Sequence, residues 1–137
     1  MKLSKVILIL MTIFLISNIS ISNAQEKQKV DLEQKARGFV MQLSKGDYEG
    51  AWNKYNKTMA KVISAKTLQV SWEAMSNQLG KLKKISKFRI EKISTFDAAY
   101  VTCVFAGGKL DAQIIFNKRG EVVGFNFMPT GPSVGIF

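Results

Sequence analysis

The chain contains no histidine, which removes the side chain best suited to moving protons and binding metals near neutral pH. Triads of the serine or cysteine type lose their base, and the common zinc sites cannot be built from one cysteine, Cys103, without histidine. No metal, no cofactor and no catalytic residue is therefore assigned. Carboxylates remain: Asp47, Glu49, Asp97, Asp111 and Glu121. Most fall at helix starts or turns, where capping and solvation account for them. Asp111 falls inside a strand pattern. Facing a pocket, it could abstract a proton from a carbon acid, with Tyr48, Tyr55 or Tyr100 donating a hydrogen bond to the resulting oxyanion. Strand alternation sets Asp111 against Leu110, Ala112 and Ile114, however, and predicts an outward, solvated carboxylate.

Two other constellations could bind rather than react. Phe39, Trp52, Tyr55 and Trp72 lie on the inward stripes of helical segments; with Met75 and Tyr100 they could line a small apolar pocket with a few polar handles. Plain core packing explains the same stripes. From Lys81 to Lys92 the basic residues Lys81, Lys83, Lys84, Lys87, Arg89 and Lys92 are offset by Glu91 alone. On a regular strand Lys83, Lys87 and Arg89 share one face, a candidate anion-binding strip, although a solvated edge protected by lysines reads the same way. Gly107-Gly108 joins two strands and is a turn, so no phosphate cradle is expected. Asn56-Lys57-Thr58 matches a glycosylation sequon. Cys103 lies in the apolar run Tyr100–Phe105, where a thiol reads as a small buried hydrophobe.

The N-terminus carries Lys2 and Lys5, then an apolar run from Val6 to Ile16, then Ser22-Asn23-Ala24. That order predicts a signal peptide over residues 1–24, cleaved so that Gln25 leads the mature chain. The run falls short of the roughly 20 apolar residues a spanning helix needs. A secreted, periplasmic or cell-envelope location follows. Cleavage leaves 113 of the 137 residues, enough for one domain with its own core. Of 20 basic residues two lie in the signal, against no acidic one, so the mature domain keeps 18 basic against 10 acidic side chains. Expected partners are a small apolar molecule, another protein or, weakly, an anionic envelope surface; nucleic acid is not expected in that compartment.

The elements that must position these residues are legible from periodicity. Residues 25–30 are expected as a disordered leader, with Asp31 capping a helix whose stripe is Leu32, Ala36, Phe39, Val40 and Leu43. Gly46 ends it and Asp47 caps a second helix from Tyr48 to about Asn56; a third starts at Ser64 and stops at Gly80. Four strands follow, at 82–95, 99–106, 109–117 and 121–128, forming an antiparallel meander, and 131–137 is expected as a flexible tail. Helices followed by strands predict an α+β domain, three helices packed on a curved four-stranded sheet. Val101, Cys103 and Phe105 oppose Tyr100, Thr102 and Val104, and Val123, Phe125 and Phe127 oppose Val122, Gly124 and Met128. Both faces look apolar, so the uncovered one is expected to bury itself in a homodimer.

The segment Phe39–Trp52 with its Gly46-Asp47-Tyr48 junction resembles the opening of the domain-of-unknown-function 3887 family. Trp72 ahead of Gly80, Val101–Phe105 and Ile115–Pro129 resemble it in order and spacing, over roughly residues 31–130. The resemblance implies a nuclear transport factor 2-like (cystatin-like) cone, in which a curved sheet wraps a helix and leaves a pocket. It brings no catalytic residues.

Overall fold

The computed structural model describes residues 2–131, with side chains described from Asn23 onward. The chain divides into two compact units, residues 1–31 and residues 32–137. Helix α1 spans Lys2–Ser44, so residues 25–30, expected as a disordered leader, are helical, and Asp31 lies inside the helix instead of capping it. The reason is that no glycine or proline precedes Gly38, while Gln25, Glu26, Lys27, Gln28 and Lys29 all favour helix. The expected signal-peptide side chains before Asn23, and the expected tail beyond Gly131, lie outside the described residues.

Beyond Ser44 the chain turns at Gly46 as its sequence dictates. Gly46 adopts φ 80°; its N–H donates to Leu43 O at 3.1 Å and that of Asp47 to Gln42 O at 2.8 Å, a Schellman closure of α1. The Asp47 carboxylate then accepts from Gly50 N at 3.0 Å and starts α2, Tyr48–Trp52. This helix is shorter than expected because Asn56 caps another, α3 (Lys57–Ala60), through Met59 N. Tyr55 thus leaves the helical stripe and forms an isolated bridge with Val122. Ser64 caps α4, Ala65–Leu79, and Gly80 at φ 82° ends it.

Strands β1 (Leu82–Ile93), β2 (Phe96–Phe105), β3 (Gly108–Phe116) and β4 (Val122–Met128) pair antiparallel in chain order. The first reversal is at Ser94-Thr95, with Ser94 at φ 57°, so β2 begins at Phe96, earlier than the expected 99. The second loop is Ala106-Gly107, since Gly108 already pairs with Phe105. The result is an α+β fold with a curved, open sheet, compatible with a nuclear transport factor 2-like cone.

Three irregularities in pairing reset which side chains share a face. β1 is irregular between Leu82 and Lys84 and between Ile85 and Phe88, and β4 opposite Ile115/Phe116. An extra residue at a bulge inverts the alternation beyond it. Val122, and not Val123, therefore joins Phe125 and Phe127 among the core side chains. On this helix-covered face Leu32, Ala36, Phe39, Val40 and Leu43 of α1 pack with Ala99, Val101, Cys103 and Phe105 of β2 and Ala112, Ile114 and Phe116 of β3.

Candidate functional site

The sheet face opposite this core has no helix packed on it among the described residues 32–131, and this helix-free face carries a row of polar and aromatic side chains in direct cross-strand register. Arg89 pairs with Tyr100, Tyr100 with Gln113, and Gln113 with Asn126, so one row crosses all four strands. The row is chemically continuous: Asn126 Nδ2 donates to Gln113 Oε1 at 3.5 Å and Gln113 Nε2 to the Tyr100 hydroxyl at 2.9 Å. The Arg89 guanidinium lies 3.8 Å from the Tyr100 ring centroid, a cation–π stack.

Beside this row stand Thr102 and Asp111, a cross-strand pair. Asp111, expected outward and solvated, is instead 2 % exposed. Its Oδ1 accepts from the Thr102 hydroxyl at 2.7 Å and its Oδ2 from Arg89 Nη1 at 3.1 Å. Burial of a carboxylate requires such partners, and both oxygens have one. Arg89 is the hub of the face: its Nη2 also donates to Gly131 O at 2.9 Å, and its Nε stands 3.5 Å from Glu91 Oε1, ion-pair range without hydrogen-bond geometry.

Above this floor lies a groove of about 550 Å³ lined by Lys87, Arg89, Tyr100, Thr102, Lys109 and Asp111 among others. The irregularity between Ile85 and Phe88 sets Ser86 and Lys87 together opposite Thr102, and both line the groove. From α1, Arg37 braces that bulge, its Nη2 3.4 Å from Ser86 O while also pairing with Glu33 at 2.8 Å. The expected strip of Lys83, Lys87 and Arg89 is thus altered. Lys87 and Arg89 line the same groove, whereas the bulges put Lys84, not Lys83, in the row of Val104 and Lys109.

The six residues considered for an apolar pocket do not converge. Phe39 and Tyr55 meet edge to face at 6.1 Å, and Trp72 packs on Phe105 and Phe127 at 5.7 and 5.8 Å, all within the helix-covered core. Trp52 is half-buried and donates from Nε1 to Ile63 O at 2.6 Å, a structural anchor. Met75 is half-buried on α4, and Tyr100 lies on the opposite face of the sheet. Tyr48 and Tyr55 are likewise on the helix side, separated by the sheet from Asp111. Burial pushes the Tyr55 phenol up to about 12, and burial with the Glu73 charge raises Tyr48. Cys103 is buried, its thiol pushed up to about 12 chiefly by desolvation.

Thr102, Lys109, Gln113 and Asn126 were not foreseen as site residues. The signal that could have found them is the set of polar residues at alternate positions in β2 to β4, which looks unremarkable until bulged register aligns it with Arg89.

Fold and site together define a small α+β domain with an apolar, helix-covered core and a polar, groove-bearing sheet face. The chain belongs to the family described as protein of unknown function (DUF3887), whose model matches residues 36–125. No curated protein and no solved structure matches it.

Proposed function

We propose that this protein is an exported, non-catalytic binding domain whose working surface is the helix-free face of its sheet, at the groove floored by Tyr100 and Asp111. The observation that carries this reading is the Arg89 hub, one guanidinium held at once by a carboxylate, a carbonyl and an aromatic ring. A site ordered before its ligand arrives loses less entropy on binding. The same contacts weigh against a carbon-acid enzyme. A general base needs a carboxylate oxygen within reach of the substrate, and both Asp111 oxygens are already engaged. Export rests on Lys2, Lys5, the apolar run and Ser22-Asn23-Ala24.

The test is to map amide shifts of the purified protein with three probes, 1-naphthol, a neutral glucan oligomer and inorganic polyphosphate. Shifts confined to 86–91, 100–102 and 109–113 support the reading. Shifts centred on 36–43 and 68–72, or no response to any probe, overturn it.

A second reading, self-association through the same face, is favoured by the β1–β2 hairpin tip. There Ile93 pairs with Phe96, and they are 43 % and 38 % exposed. The central row is polar and its side chains bond largely to one another, so apolar burial would have to come from this tip. Sedimentation at tens of micromolar decides it: a monomer removes the idea, and a dimer dissociated by Phe96→Asp supports it.

A further inference from the structure

Lys87 and Lys109 rise from opposite sides of the groove, Lys87 from the bulge of β1 and Lys109 from β3, with β2 between them. Strands one apart in a sheet put their backbones about 10 Å from each other, so two ammonium groups on flexible stems can close on one anion over Thr102. Neither makes an ion pair with another described residue. The two carboxylates of the groove are engaged with Arg89, Asp111 at 3.1 Å and Glu91 at 3.5 Å. Three basic side chains, Lys87, Arg89 and Lys109, thus stand against these two acidic ones, and the groove keeps a net charge of +1. One register row further on, Lys84 and Lys109 flank Val104, which extends the positive track past the groove.

We propose, resting on the groove reading above, that this site takes the phosphates of an extended polyanion. Lysine is a compact point charge that suits phosphate without demanding the bidentate geometry of arginine. Three features of the face choose the polymer over other phosphate carriers. The groove, about 550 Å³, is larger than one oxyanion fills, and the Lys84–Lys109 row offers a place for the next charge. Its floor is recessed, with Tyr100 and Asp111 only 3 % and 2 % exposed, so a flat bilayer of headgroups would meet the exposed Lys87 and Lys109 alone, whereas an extended chain can sink between them. The Tyr100 ring already carries the Arg89 guanidinium and offers no free platform on which a base could stack.

The experiment is calorimetric titration of the purified protein with inorganic polyphosphate at about 0.15 M salt. It compares the wild type, the Lys87→Gln/Lys109→Gln pair and a Lys118→Gln/Arg119→Gln pair that removes the same charge from the exposed β3–β4 turn. The groove pair is expected to weaken binding by about tenfold or more and the turn pair by less than about twofold, because two direct phosphate contacts are lost in one case and only screened long-range attraction in the other. Free phosphate and phosphatidylglycerol vesicles should bind more weakly than polyphosphate. Equal losses in both pairs would reduce the effect to net charge and overturn the site, as would tighter binding to vesicles or free phosphate. Absence of polyphosphate binding while 1-naphthol or the glucan still shifts groove amides would sink the phosphate inference alone; silence from every probe would sink the groove reading with it.

Discussion

The two faces of the sheet solve burial in opposite ways. On the helix-covered face Phe39, Trp72, Phe105, Phe125 and Phe127 form a chain of ring contacts between 5.1 and 6.3 Å, and apolar area removed from water does the stabilising. On the helix-free face burial comes from polar groups satisfying one another, with Arg89 lying over Tyr100 and tied to Asp111. The first kind of surface tolerates no opening. The second can exchange an internal partner for an external one, which is why we propose the working surface there.

The sharpest way to separate the faces is to truncate one residue on each. Phe39→Ala should lower unfolding free energy by about 3–5 kcal/mol in urea, because a fully buried ring leaves a cavity. Asp111→Asn should lower it by about 1–3 kcal/mol: it strands the Arg89 charge, but that guanidinium is 33 % exposed and water takes up part of the loss. A larger loss at Asp111 than at Phe39 would invert the comparison.

Alkaline pH should report on the helix-covered face. The folded thiol of Cys103 is pushed from its ordinary 9.0 to about 12, and the Tyr55 phenol from 10.0 to about 12. Raised values in the folded state mean that the unfolded chain releases these protons first. Stability is therefore full below about pH 9 and falls as pH rises toward 12, by up to about 1.4 kcal/mol per unit for each group. Urea midpoints measured across pH 7.5 to 10.5 check this, and Cys103→Ala should flatten the lower part of the fall. Smallest of all, Lys109→Gln should move stability by no more than about 0.5 kcal/mol, since an exposed lysine contributes little to the fold.

Much of this division could be read from the sequence, and its failures have a common cause. The stripe Leu32, Ala36, Phe39, Val40 and Leu43, the Gly46-Asp47 junction and the four strands follow from periodicity and turn chemistry, which are local. Asp31 misled as a cap because good helix formers precede it. The parity of Val122 against Val123 and of Lys83 against Lys84 depends on bulges, which arise from pairing between distant segments. The burial of Asp111 depends on Arg89, 22 residues away. Alternation correctly assigned Asp111 to the face opposite Ala112; what it could not supply was the neighbour that makes that face a buried one.

The central claim is that Arg89 and Asp111 act as one pre-ordered unit. A double-mutant cycle with Arg89→Gln, Asp111→Asn and the pair, followed by urea unfolding at neutral pH, measures it most directly. A coupling of at least about 1 kcal/mol is predicted, because removing either partner leaves the other stranded and removing both does not. Additivity within about 0.3 kcal/mol would contradict the account.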